Sequence, residues 1–189
     1  RTNAAQIMCS HCANVTLAGA SAASALASGI AIVDGDNVTV ATAHAESNGG
    51  AGFLIIRSKN SAVTNSTSTS NDMGLNLRAA NGTRVEDANF SNNLRDGFHA
   101  EDGGDLQIVR SVLLGNGNGA QIDRSRDATI DTIDAKGNQA DGLRIGDSTR
   151  VRSYGVNASG HGRTGLGLTG RSLSTPHGSH GTAHGADAA

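Results

Sequence analysis

Apolar and polar residues alternate with period two after a glycine that recurs along the chain. The glycines are 22 or 23 residues apart, at Gly29, Gly52, Gly74, Gly97, Gly119, Gly142 and Gly165. Apolar residues follow at the first and third positions, as in Ile30 and Ile32 or Phe98 and Ala100. A strand with one buried face has this spacing, whereas an amphipathic helix needs apolar residues three and four apart. Each glycine therefore predicts the start of a short β-strand.

Two further inward pairs recur in the same register in each repeat. Val38 and Val40 illustrate the second pair, and Ala43 and Ala45 illustrate the third. Three short strands per repeat predict an all-β fold, a triangular parallel β-helix in which each repeat is one rung stacked on its neighbours. The register extends one rung toward the N-terminus, so we expect about eight rungs and, at about 4.8 Å per strand, a rod about 38 Å long.

An asparagine column precedes the glycines by three or four residues. Its members are Asn48, Asn71, Asn93, Asn116 and Asn138, with His161 in the next rung. Asparagine tolerates the left-handed conformation, and stacked amides form hydrogen-bonded ladders. We interpret this column as structural rather than catalytic.

The repeat defines the predicted domain organisation and excludes some functions. We expect one β-helix domain over residues 1–171 and an irregular Gly- and His-rich segment or cap over 172–189, containing His177, His180 and His184. No apolar run approaches the roughly 18 residues of a membrane span. The net charge of −2 and the scattered Lys and Arg residues give no basic stripe, so a nucleic-acid partner is not predicted.

Cys9 and Cys12 form a Cys-x-x-Cys sequence with His11 between them. A structural zinc site needs four ligands, and the sequence has no second cysteine pair. A thioredoxin-like motif belongs at the start of a helix, which the pattern does not predict here. We therefore predict no metal site. The register places Cys9 inside the tube and Cys12 at a turn, and it leaves open whether the two form a disulfide.

The outward positions of the first strands form two predicted surface columns. In the central rungs these columns contain Asn76, Arg78, His99, Glu101, Gln121, Asp123 and Arg144. Amides bind sugar hydroxyls, arginines bind carboxylates, and histidine and carboxylates transfer protons. Proton transfer is assigned to His99, Glu101 and Asp123, and substrate binding to Asn76, Arg78, Gln121 and Arg144. The alternative is a solvated face whose opposite charges neutralise one another.

The period, the Asn and Gly turns and the segment Asn92–Glu101 resemble the right-handed parallel β-helix repeats of the pectate-lyase-like superfamily. They are similar above all to the repeats of the mannuronan (alginate) C5-epimerases. One rung of that family carries Tyr-Gly-Phe-Asp-Pro-His, and the next carries Asp-Gly-Phe-x-Ala-Asp. The resemblance places Glu101 at the acid of the second motif. Met73, Asn76 and Arg78 replace the Tyr, Asp and His of the first motif.

The resemblance implies an extracellular or cell- or virion-surface β-helix that contacts acidic polysaccharide. An epimerase- or lyase-like activity and a calcium cofactor are left open. The alternative function is a non-catalytic rod in a fibre, tailspike, adhesin or filament. The fully apolar strand Phe53–Ile56 and the unpaired edges of an open β-helix end favour that alternative, because they predict self-association or contact with a neighbouring domain.

Overall fold

A computed structural model describes residues 4–170, together with the backbone of 173–177 and 180–181, and these residues form strands and turns but no α-helix. The strands are β1 (Ile7–Ser10), β2 (Ala13–Ala18), β3 (Ser21–Ala23), β4 (Ile30–Val33), β5 (Asp36–Ala41), β6 (His44–Glu46), β7 (Ala51–Ile56), β8 (Ala62–Thr64), β9 (Thr67–Thr69), β10 (Met73–Arg78), β11 (Arg84–Glu86), β12 (Asp96–Glu101), β13 (Gly104–Val109), β14 (Asn118–Asp123), β15 (Arg126–Asp131), β16 (Leu143–Gly146), β17 (Thr149–Tyr154), β18 (Asn157–Ala158), β19 (Leu166–Thr169), β20 (Leu173–His177) and β21 (His180–Gly181).

The strands stack into three parallel sheets, one on each side of a β-helix. The first sheet has the order β1-β4-β7-β10-β12-β14-β16-β19, and the second has the order β2-β5-β8-β11-β13-β15-β17-β20. The third side consists of β3-β6-β9 and β18-β21, joined through the central rungs by isolated bridges such as Asn89 with Val112. Eight strands in each of two sheets confirm the predicted all-β parallel β-helix of about eight rungs.

The interior of the tube is filled by the inward pairs that the sequence pattern predicted. Ile30, Val38 and Ala43 represent the three sides of one rung, and all three are buried. Phe53 and Phe90 pack against each other in the interior, with ring centroids 5.9 Å apart. Burial of these side chains between rungs drives folding, because one rung alone has no second layer to cover its apolar face.

Left-handed backbone conformations recur at four fixed corners of the rung. In the rung after Gly29 the corners are Asp34, Asn37, Thr42 and Ser47, with φ between 50° and 55°. The same positions carry positive φ in each of the following rungs up to Gly160. A non-glycine residue in this conformation costs about 1–2 kcal/mol, so stacking must hold these corners in place.

The recurring glycines are required by close approach rather than by backbone conformation. A Cβ atom added to Gly97 would lie 2.5 Å from Nδ2 of Asn116 and 2.8 Å from the carbonyl oxygen of Gly119. The asparagine column therefore packs directly against the glycine column. Within it, Nδ2 of Asn93 donates to Oδ1 of Asn116 at 3.1 Å, and the backbone N–H of Asn93 donates to the same oxygen at 2.8 Å. These bonds support the structural interpretation of the asparagines.

A disulfide joins Cys9 to Cys12 in the first rung. Both residues are half-buried and pack against the core. At the other end, β20 extends the second sheet and β21 extends the third side past residue 171. The domain boundary at 171 stays a prediction, and the rest of the segment 172–189, including His184, lies outside the described residues.

Candidate functional site

The first sheet aligns the seven predicted site residues on its outer surface, over the adjacent strands β10, β12, β14 and β16. One column contains Asn76, His99, Gln121 and Arg144, and the other contains Arg78, Glu101 and Asp123. Because adjacent strands are about 4.8 Å apart, the four strands distribute these residues over about 15 Å. We call these seven residues the polar face.

His99 lies in the middle of the polar face and is hydrogen-bonded to a buried carboxylate. Nδ1 of His99 is 3.0 Å from Oδ2 of Asp96, and the side chain of Asp96 is only 4% exposed. The other oxygen of Asp96, Oδ1, accepts a hydrogen bond from Nδ2 of Asn118 at 2.8 Å. Nε2 of His99 has no hydrogen-bond partner among the described residues and is not among the buried unpartnered atoms, so it keeps contact with solvent.

Sequence reasoning assigned no role to Asp96 or Asn118. Both occupy the position directly before a repeat glycine, where β12 and β14 begin. The sequence pattern predicts Asp96 and Asp141 only at the margin of the polar face. Only the register shows that the side chain there is close to the residue two places after the glycine. A column of Asp and Asn at that position was the available signal, with Asp96, Asn118 and Asp141 in successive rungs.

Arg144 stands at one end of the polar face without a charged partner. No ion pair or hydrogen bond to its guanidinium occurs within the described residues, and its Nε is buried without a partner. The neighbouring position in β19 is Gly167, which has no side chain to occupy the adjacent space. A buried, unsatisfied N–H of a charged group is costly, and an incoming anion would remove that cost.

Glu101 is held by arginines rather than free for proton transfer. Arg124 donates to Oε1 of Glu101 through Nη2, and also to Asp102 through Nε at 2.8 Å. The hydrogen bond from Arg124 lowers the pKa of Asp102 below its usual value, and bonds to Asp102 and Glu101 raise the pKa of Arg124. Nε of Arg78 lies 3.9 Å from Oε2 of Glu101, at the limit of an ion pair.

Asn76 differs from the exposed position expected for it. Its side chain lies on the outer face of β10, but the residue is 7% exposed and its Oδ1 is buried without a hydrogen-bond partner. Its neighbours in register are Leu54 and His99, whose larger side chains flank the short amide. Leu54 is half-buried, as is Ile56, so the apolar strand β7 is less exposed than expected.

Gln121 and Asp123 form a pair on β14. Nε2 of Gln121 donates to Oδ2 of Asp123 at 2.5 Å. Gly146 is the register partner of Asp123 on β16, and a Cβ atom there would lie 2.3 Å from Oδ1 of Asp123, so the carboxylate occupies the space over this glycine. The side chain of Asp123 is half-buried between Glu101 and Gly146 in register, and it forms no ion pair within residues 4–170.

The described residues contain no group of three or more His, Cys, Asp or Glu side chains arranged to hold a metal ion. Calcium prefers six to eight oxygen ligands, which this face does not assemble. Over the same residues, no helix is long and apolar enough to cross a membrane.

These observations define a parallel β-helix whose first sheet carries the polar face. The sequence matches the family described as the right-handed β-helix region over residues 5–164, and the chain belongs to that family. Membership confirms the handedness that the resemblance implied. No curated protein matches the sequence significantly.

Solved structures with the same fold include bacterial epimerases and a phage protein. The A-module of mannuronan C-5 epimerase AlgE4 from Azotobacter vinelandii is 17% identical, with a TM-score of 0.75 over 92% of this chain and 58% of that chain. A point mutant of the periplasmic alginate epimerase AlgG is 16% identical, with a TM-score of 0.80 over 89% of this chain and 47% of that chain. The enzymatically active domain of tailspike protein 2 from bacteriophage CBA120 is 11% identical, with a TM-score of 0.74 over 89% of this chain and 32% of that chain.

The chain spans about half the length of the two epimerase structures, at 58% and 47%. At these identities the likeness establishes the fold alone. It confirms the predicted similarity to epimerase-type β-helix repeats.

Proposed function

We propose that the polar face binds an acidic polysaccharide and that His99 acts there as the base of an epimerase- or lyase-like reaction. One observation carries the proposal. Nδ1 of His99 is bound to the buried carboxylate of Asp96, while Nε2 keeps contact with solvent in the centre of the face. A neutral imidazole held in this way is positioned to accept a proton from a bound ligand.

The charges around His99 favour a ligand that carries carboxylates. Arg144 lacks an ion-pair partner among the described residues, and Arg78 has only the 3.9 Å contact with Glu101. A uronate carboxylate would supply the anion that Arg144 lacks. Gln121, which lies between His99 and Arg144 in register, offers an amide for sugar hydroxyls. Neutral polysaccharides could accept hydrogen bonds from Arg144 but would leave its charge without a counterion, so the proposed substrate class is acidic.

The reaction would begin at the carbon beside the uronate carboxylate. His99 takes the proton through Nε2, the C–H bond breaks, and its electron pair delocalises into the carboxylate, whose growing charge Arg144 stabilises. Return of a proton to the opposite side of that carbon gives the epimer. Expulsion of the neighbouring glycosidic oxygen, protonated by a second group, gives an unsaturated chain end instead. Asp123 is better placed for that second role than Glu101, because Arg124 holds Glu101.

Two further observations support a location outside the cytoplasm, on the cell or virion surface. Disulfides such as Cys9–Cys12 persist mainly in oxidising compartments. The similar structures include an epimerase named as periplasmic and a phage tailspike. Their names also describe action on mannuronan and alginate, which are acidic polysaccharides, in line with the proposed substrate class.

A second candidate function is a non-catalytic rod of a fibre, tailspike, adhesin or filament. Ion pairs between rungs favour it, because Arg57 binds Asp34 at 2.7 Å, and Arg150 binds Asp127 at 2.5 Å, as expected of a solvated surface that only stabilises the stack. In this case the half-buried β7 strand and the outermost strands of the described sheets would contact a neighbouring domain or a second copy.

The two candidates differ in turnover. Alginate, pectate and a neutral glucan are incubated with the protein, with and without calcium, and unsaturated ends are followed by ultraviolet absorbance and epimerisation by proton NMR. Turnover of a uronate polymer should be lost in His99→Ala and retained in His44→Ala, an exposed histidine of the third side. Absence of turnover on every polymer, together with concentration-dependent association, would contradict the enzymatic function and favour the non-catalytic rod.

A further inference from the structure

A chain of polar groups beneath the polar face connects His99 to the next three rungs. The carboxylate of Asp96 accepts a hydrogen bond from Nδ2 of Asn118 at 2.8 Å, and its other oxygen lies 3.0 Å from Nδ1 of His99. Oδ1 of Asn118 accepts the backbone N–H of Asp141 at 3.1 Å, and Oδ1 of Asp141 accepts the backbone N–H of Thr164 at 3.1 Å. Each donor in this chain therefore has one acceptor.

The backbone N–H of Asp141 determines which group donates and which accepts in the side-chain bonds that follow it. A backbone N–H can only donate, so the oxygen of the Asn118 amide faces Asp141 and its nitrogen faces Asp96. An ionised carboxylate can only accept, so the remaining bond to Asp96 must be donated by Nδ1 of His99. Neutral His99 is consequently the Nδ1–H tautomer, and Nε2 carries the free lone pair.

A second histidine in the solenoid shows the opposite arrangement. Nδ1 of His161 accepts the backbone N–H of Asn138 at 3.2 Å, so its proton belongs on Nε2, which is buried. The fold thus sets the tautomer of each histidine by what it places next to Nδ1. His161 therefore serves as an internal reference for the opposite tautomer, Nε2–H.

We infer that Asp96 and Asn118 are positioning residues that fix His99 as the Nδ1–H tautomer and so direct a proton-accepting Nε2 to the polar face. The catalytic use of this atom rests on the proposed function, but the tautomer itself does not. Neither positioning residue needs to touch the substrate. The repeat brings Asp96 and Asn118 together, because each precedes a repeat glycine and their rungs are adjacent.

Replacing one carboxylate oxygen of Asp96 by an amide nitrogen tests which groups in this chain donate and which accept. In Asp96→Asn, the nitrogen of Asn118 still needs an acceptor, so the new amide turns its oxygen toward Asn118 and its nitrogen toward His99. Nδ1 of His99 must then accept, and the tautomer inverts to Nε2–H. In the double variant D96N/N118D the carboxylate at 118 accepts from both Asp141 and the amide at 96, whose oxygen then faces His99 and restores Nδ1–H.

The measurement is the ring-nitrogen spectrum of the full chain, labelled with ¹⁵N, at roughly pH 8.5, two units above the ordinary histidine pKa. His99→Gln assigns the signals of His99, and the unchanged Nε2–H signature of His161 shows that each variant is folded. The expected results are Nδ1–H in the wild type, Nε2–H in Asp96→Asn and Nδ1–H in the double variant. An Nε2–H wild type, a single variant that keeps Nδ1–H, or a double variant that fails to restore it overturns the inference.

Activity provides a separate readout if a uronate polymer is turned over. Asp96→Asn should reduce the rate by about 10²- to 10⁴-fold, as expected for a general base held in the wrong tautomer, and the double variant should recover much of it. Absence of wild-type turnover refutes the proposed function and leaves the tautomer measurement decisive for the inference. Full turnover by Asp96→Asn overturns the positioning role.

Discussion

Replacement of Gly97 by alanine should damage the β-helix at its centre. The added Cβ would lie 2.5 Å from Nδ2 of Asn116, 2.7 Å from the carbonyl oxygen of Phe90 and 2.8 Å from that of Gly119. Real Cβ atoms do not approach other atoms so closely. Two of the three obstructing atoms belong to the backbone, and the third belongs to the hydrogen-bonded asparagine ladder, so none moves without displacing a rung.

The expected cost follows from two opposing contributions. Overpacking of a well-filled interior costs about 1–3 kcal/mol, and the backbone obstruction places this site at the upper end. Replacing glycine by alanine also restricts the unfolded chain, which returns about 0.4–1 kcal/mol. The free energy of unfolding should therefore fall by about 2 kcal/mol, measured by urea denaturation of the variant and the wild type.

Two matched glycines separate close approach from backbone strain. Gly167 has no positive φ and its nearest obstruction is at 3.7 Å, so Gly167→Ala should raise the free energy of unfolding by about 0.4–1 kcal/mol, the contribution of the unfolded chain alone. Gly137 has open space but a φ of 60°, so the strain of about 1–2 kcal/mol in Gly137→Ala, less the contribution of the unfolded chain, should lower the free energy of unfolding by about 1 kcal/mol. A Gly97→Ala variant as stable as Gly167→Ala would refute the explanation of the repeat glycine.

Three further substitutions test the left-handed corners, the ladder formed by the asparagine column, and His161 at the end of that column. Ala79 has a φ of 51° and is exposed, so Ala79→Gly should raise the free energy of unfolding by about 1 kcal/mol, and a decrease in urea denaturation would contradict left-handed strain. Asn93→Ala leaves the buried backbone N–H of Asn71 without its acceptor and should lower stability by about 2–4 kcal/mol in the same assay; a loss below 1 kcal/mol would exclude a structural ladder. Burial lowers the pKa of His161, and its hydrogen bonds and the Asp141 charge offset this only in part. The contribution of His161 to the free energy of unfolding is therefore full above the unfolded pKa of about 6.5, and it is lost as the pH falls from there through the folded pKa. His161→Asn should flatten that decline in a pH series of denaturation curves, and equal slopes for the two proteins would refute it.

The sequence predicted the rung well because its strongest constraints are local and repeated. The inward pairs after Gly97, for example Phe98 and Ala100, follow from period two alone, and the structure buries both. The four left-handed corners were not predicted, because residues as different as Thr42 and Arg150 adopt them. Stacking overrides their intrinsic preference, and such tertiary effects leave no trace in a single sequence.

The site was predicted in part. Register aligned His99, Gln121 and Arg144 as expected, since each rung has nearly the same length. Burial of Asn76 and the pairing of Glu101 with Arg124 were not foreseen, because both depend on the size and reach of side chains in neighbouring rungs. The role of Asp96 was missed for a different reason. The pattern predicts Asp96 at the margin of the polar face, but its hydrogen bond to His99 depends on side-chain geometry that the pattern does not contain.

The most direct test of the proposed function is an NMR titration of the labelled protein with a short oligouronate, beside a neutral oligosaccharide of equal length. Binding at the polar face predicts saturable shifts centred on His99, Gln121 and Arg144, caused by the oligouronate and abolished in Arg144→Met. Shifts that are absent, that occur equally with the neutral oligosaccharide, or that are confined to other sides of the β-helix would contradict an acidic-polysaccharide site on the first sheet.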